Sequence, residues 1–286
     1  MLAHVQVFCF LASYFVSCGL ELSRLLGQRT WVRFATLGFG IAGFVAHTAY
    51  LFNRFRDTGL PPLLSSAHDW VLVLAWALVL LYLLFSIAQR DLALGVFTLP
   101  IVLGLILSTY FMTAPQDLKT EPERVQALVH AQRVGAMLHA SSLVLGMVTV
   151  ALGLVTAAMY LVKHRSLKTH HAEHKGWRMP SLERLALFNR WSVLIALLAL
   201  TVGILTGIFL GLNAKSSEHA VRYDDPLVIA GGLVWLALTL LFAWQLTHRQ
   251  QSGRQIAWLT VCACGILLLA LVGLPAILGG SGFHGS

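Results

Sequence analysis

The chain has 286 residues, of which 57% are hydrophobic and only 11% charged, and its mean hydropathy is +0.76. Soluble domains carry about 25% charged residues, so a water-soluble globule is excluded and an integral membrane protein is implied. The net charge of +8 lies mostly in segments that flank apolar runs, which points to topology control and contact with anionic lipid rather than to nucleic-acid binding.

Eight windows approach the ~20 apolar residues that a spanning helix needs. They fall at 3–20, 34–52, 70–88, 92–112, 138–162, 189–212, 226–246 and 255–278. Backbone polar groups in hydrocarbon must be satisfied within the segment, so each window is predicted to be a helix. The expected fold is all-α, a polytopic bundle of eight transmembrane helices forming one domain over 1–286.

In chain order, the first window has no Lys or Arg before Glu21, and so reads as a retained helix rather than a cleaved signal. It carries Cys9 and Cys18, and the last window carries Cys262 and Cys264. None forms a Cys-x-x-Cys pair, and all four read as small apolar residues. His47 is placed about five residues, roughly 7–8 Å, below the outer end of the second helix. His68 opens the third, and Pro100 is expected to kink the fourth. Segment 113–137 mixes charged and apolar residues at helical spacing from Glu121 onward, as expected of a separate helix lying on the membrane face.

His139 opens the fifth window, where a helix N-terminus would disfavour the protonated ring. The following segment, 163–188, holds His164, His170, His171 and His174. Because His170 and His174 stand i, i+4, a metal site and a solvated basic anchor are both open there. Ser181 is predicted to cap the next helix. Gly203, Gly207 and Gly211 recur every four residues, a spacing that admits either a neighbouring helix or a flat ligand. His248 ends the seventh window, and His284 follows the eighth in "LGGSGFHGS". No internal repeat supports an inverted-repeat transporter.

With the N-terminus outside, thirteen Lys and Arg fall in inner loops and seven in outer ones. Both termini are therefore expected on the outer side. That orientation puts His139 and His284 at one level. Two such imidazoles can approach opposite faces of one metal, with bonds of ~2 Å each. His248 lies across ~30 Å of hydrocarbon and would need a second site. On spacing alone, each histidine also fits a polar anchor at the interface.

The stretches "SLERLALFNRWSVLIALLALTVGILTGIFLG", "YDDPLVIAGGLVWLALTLLFAWQLTHRQQSGRQIAWLTV" and "GLPAILGGSGFHGS" resemble the membrane family of cytochrome c assembly proteins. That family includes the CcsA and CcmC haem-handling proteins and the shorter HemX-type proteins. The resemblance is strongest over 130–286 and reaches back to "GLPPLLSSAHDWVLVLAWALVLLYL". It implies that His139 and His284 are outer axial ligands to haem iron, and that His248, followed by Arg249, is the histidine deeper in the membrane. It further implies haem b as cofactor, and haem, membrane lipid and other assembly proteins or an apocytochrome as partners. The implied location is a bacterial-type cytoplasmic (inner) membrane.

Two departures stand out. The family's tryptophan-rich stretch ending in Trp-Asp-Pro-Lys-Glu is replaced by "SEHAVRYDDPLV", and Leu60 occupies the histidine slot of Gly-His-x-Pro. The chain therefore looks closer to the HemX-type branch. The expected function is haem binding in cytochrome c assembly or haem handling. The alternative is a HemX-type regulatory or scaffolding protein of haem biosynthesis without stable haem. No side chain with an identifiable bond-making role was found, and the chain is read as a non-enzyme.

Overall fold

The computed structural model describes residues 6–24, 30–59, 61–88, 94–111, 122–168, 180–213, 226–247 and 253–280. These segments form helices and no strand. The helices are α1 (Val7–Ser23), α2 (Thr30–Thr58), α3 (Pro62–Ser65), α4 (Ala67–Ala88), α5 (Leu94–Ser108), α6 (Pro122–Lys168), α7 (Leu182–Asn213), α8 (Pro226–Thr247) and α9 (Gly253–Gly280). A 3₁₀ turn, Thr109–Phe111, extends α5. Among the described residues, five helices are long and apolar enough to cross a membrane, and α1 is a shorter apolar helix. The chain is thus a multi-pass helical membrane protein.

Three expectations are corrected. The segment from Glu121 onward does not form a separate surface helix, because Pro122–Lys168 is one uninterrupted helix of 47 residues. At 1.5 Å per residue it measures about 70 Å, more than twice the hydrocarbon thickness. His139 is consequently inside α6 and not at a helix N-terminus. The end of the second helix is also further from His47 than expected, because α2 runs on to Thr58. Eleven residues, about 16 Å, separate the two. Ser181 does cap α7, its Oγ accepting the Arg184 amide at 3.3 Å. Pro100 lies inside α5 without ending it.

The helices form two groups joined through α6. In the first, α1 packs on α2 and α5, while α4 packs on α2 and α5. The Trp76 indole donates to Thr48 Oγ1 at 2.9 Å and pins α4 to α2. In the second, α6 packs along α7 and α9, and α8 touches both α7 and α9. Here the Trp235 indole donates to Thr201 Oγ1 at 2.8 Å. α6 also meets α4 and α5, and Val144, Met147, Val148, Val150 and Ala151 belong to the core shared with Leu72, Leu78, Leu99 and Val102. Such packing, more than a hydrophobic drive, holds helices together in lipid.

The α6–α7 seam shows why glycine recurs in both helices. A Cβ on Gly135 would meet Leu210 Cδ2 at 3.1 Å, one on Gly203 would meet Leu143 Cδ2 at 2.7 Å, and one on Gly146 would meet Leu200 Cδ2 at 2.7 Å. Each glycine receives a large side chain from the facing helix, in antiparallel register. Of the stripe Gly203, Gly207 and Gly211, Gly203 is filled by Leu143 of the neighbouring helix, as the packing alternative expects.

Candidate functional site

His139 occupies the fourth place in that seam, between the Gly135 and Leu143 levels. It projects from α6 onto α7, and its ring lies against the place where a Cβ on Gly207 would stand. That Cβ would meet His139 Cε1 at 2.7 Å and Nδ1 at 3.1 Å. The ring is partly buried, and its Nδ1 is 2.7 Å from the Gly203 carbonyl oxygen. A carbonyl only accepts, so Nδ1 carries the hydrogen and donates it. On a neutral ring Nε2 then keeps its lone pair. An imidazole fixed through one nitrogen, with the other bare, is the form in which histidine binds metals.

The other two proposed ligands, His248 and His284, lie outside the described residues, as do His170, His171 and His174, Leu60 and the Asp225 side of the altered tryptophan-rich stretch. Among the described residues, no group of three or more His, Cys, Asp or Glu could hold a metal ion. The helices that carry His139 and lead toward His284 are neighbours nonetheless. α9 packs along α6, and a Cβ on Gly153 of α6 would meet Thr260 Cγ2 at 3.7 Å and Cys264 Sγ at 3.8 Å on α9. Asn189 of α7 ties into the same level, its Nδ2 donating to Thr260 Oγ1 at 3.1 Å. α9 ends at Gly280, four positions before His284 in the sequence.

Sequence reasoning missed a second polar centre. Asp69, fully buried in the first turn of α4, accepts from Arg54 Nη2 at 3.1 Å, from Ser65 Oγ at 2.6 Å and from His68 Nδ1 at 3.1 Å. Its own amide donates to Ser66 Oγ at 3.1 Å, which makes Ser66 the cap of α4. The signal was there: Ser66 and Asp69 have the spacing of a capping pair just before an apolar run. A matching pair stands at the far end of α1, where buried Glu21 binds Arg24 at 2.8 Å.

His47 is different again. It is buried between α1 and α2, stacked on Phe10 with ring centroids 4.2 Å apart, with Tyr14 Oη 3.4 Å from its Nδ1. Its Nε2 is buried and has no hydrogen-bond partner among the described residues. Gly43 makes the room here, since a Cβ there would meet Tyr14 Cε1 at 2.7 Å.

Fold and site together define a multi-pass α-helical membrane protein that holds one histidine, half-buried between two helices, in a metal-competent tautomer. The family model described as Cytochrome C assembly protein matches residues 64–279. The chain belongs to the cytochrome c assembly protein family. It is similar to the cytochrome c biogenesis protein CcsA of Chlorella vulgaris, with 31% identity over 155 residues, covering 54% of this chain and 47% of that protein. The chain thus matches about half the length of that curated relative. No solved structure matches it.

Proposed function

We propose that this protein binds haem b in the membrane and assists cytochrome c assembly or haem handling, with His139 and His284 as axial ligands on the outer face. The observation that carries the reading is the His139 ring, anchored through Nδ1 on the Gly203 carbonyl at 2.7 Å with Nε2 left to donate. Family membership and the packing of α9 along α6 support it. The residues fit the group: a neutral imidazole is the donor that haem iron takes from histidine. Haem, when bound, supplies redox chemistry, while the chain supplies ligation and orientation and breaks no bond itself.

The same reading includes eight spans in the cytoplasmic membrane, both termini outside, and His248 as an inner or transit site. Haem, lipid and other assembly proteins or an apocytochrome are its partners. Protein purified from haem-replete cells is expected to show a bis-histidine haem spectrum, which His139→Ala combined with His284→Ala abolishes. An unchanged spectrum in the double variant overturns the ligand assignment.

A second reading is a HemX-type regulator of haem-synthesis enzymes that acts through the basic 163–188 segment. The altered stretch "SEHAVRYDDPLV", without the family's tryptophans, favours it. Capture of a soluble haem-synthesis enzyme that is lost on deleting 166–178, with no haem retained by the full chain, would establish this reading and exclude the first.

A further inference from the structure

We infer that Gly207 is a positioning residue for His139: it selects the Nδ1–H tautomer and so makes Nε2 the atom that a metal meets. The reason lies in helix geometry. A helical carbonyl points along the axis toward the residue four places on, so the Gly203 oxygen lies beside position 207. Any side chain at 207 would stand between that oxygen and a ring arriving from α6. With glycine the ring reaches the carbonyl at 2.7 Å. With alanine, the new methyl would stand 2.7 Å from Cε1 and 3.1 Å from Nδ1, and the ring must leave.

The other glycines of the seam do not explain this one. Gly135, Gly203 and Gly146 receive leucines, which need space and no particular acceptor. Gly207 alone among them receives a ring that carries a donor. The glycine at 207 therefore does two things: it lets the helices close, and it fixes which nitrogen holds the hydrogen. In water the neutral histidine ring favours the opposite tautomer, so the seat works against the intrinsic preference.

The tautomer can be tested on the wild-type chain without haem. With 15N-labelled histidine at about pH 8, the His139 signals, assigned by their loss in His139→Ala, are expected to show the hydrogen on Nδ1. The Nε2–H pattern overturns the inference. The consequence for ligation rests on the haem reading above. Gly207→Ala is expected to weaken haem binding about tenfold, the lower end of what losing a ligand's hydrogen-bond partner costs in metal affinity. Gly146→Ala crowds the same seam against Leu200, with a 2.7 Å approach but no contact to His139, and is expected to bind haem as the wild type does. Equal losses in both variants reduce Gly207 to a packing residue and overturn the inference. Absence of haem from the wild type overturns the functional reading instead, while the nitrogen signals still judge the seat.

Discussion

His139 and His47 show how little a residue's identity says without its neighbours. Both are histidines in apolar helices, and both are candidates by default at membrane depth. His139 was legible in the sequence as a candidate, but its partner, the Gly203 carbonyl, lies 64 residues away and no local pattern announces it. His47 was legible as a ring within an apolar helix, but the end of that helix was not, because α2 continues through the charged run "NRFRDT" to Thr58. The Nε2 of His47 has no partner among the described residues, and an unsatisfied buried group costs about 1–3 kcal/mol. Phe at this position keeps the stack on Phe10 and removes the orphaned nitrogen. His47→Phe is accordingly expected to leave haem content unchanged and to raise the thermal midpoint of the detergent-solubilised protein. A loss of haem or of folded protein would mean that the nitrogen is used.

At the level of elements, apolar windows located the helices but not their ends. Hydropathy ceases at the interface, whereas the helical hydrogen-bond ladder does not, and α6 continues past its apolar window at both ends. What fixes the ends is local polar chemistry, as at Ser181 and Ser66. The α4 end carries the larger share of this. Asp69 is wholly buried and receives hydrogen bonds from Arg54, Ser65 and His68, joining α2, α3 and α4. Hydrogen bonds to a charged group contribute about 1.5–3 kcal/mol each, while Arg54, with 24% of its side chain exposed, keeps access to its surroundings when Asp69 is lost. Asp69→Ala is expected to lower stability by about 3 kcal/mol. The check is the midpoint of unfolding followed by the exposure of buried cysteines such as Cys18. A midpoint unchanged from wild type would show that Arg54 finds solvent as easily as it finds Asp69.

For the molecule as a whole, composition alone excluded a soluble domain, and the order of histidines along the chain pointed to one outer level for His139 and His284. The sequence could not show that α6, which bears His139, touches α9, the helix that precedes His284. That depends on α6 contacting α7, α9, α4 and α5 at once, which also makes it the most buried of the five candidate spans. The neighbourhood of α6 and α9 is a condition that the proposed ligand pair requires. Two histidine ligands would hold haem iron low-spin, and an iron left with one histidine, alone or with water, would be high-spin. The most direct test is the electron paramagnetic resonance spectrum of the oxidised, haem-loaded protein, compared with that of His284→Ala. The low-spin signal of the wild type is predicted to give way to a high-spin signal when His284 is lost. A low-spin signal that survives this substitution, or a wild type that carries no haem iron, would contradict the account.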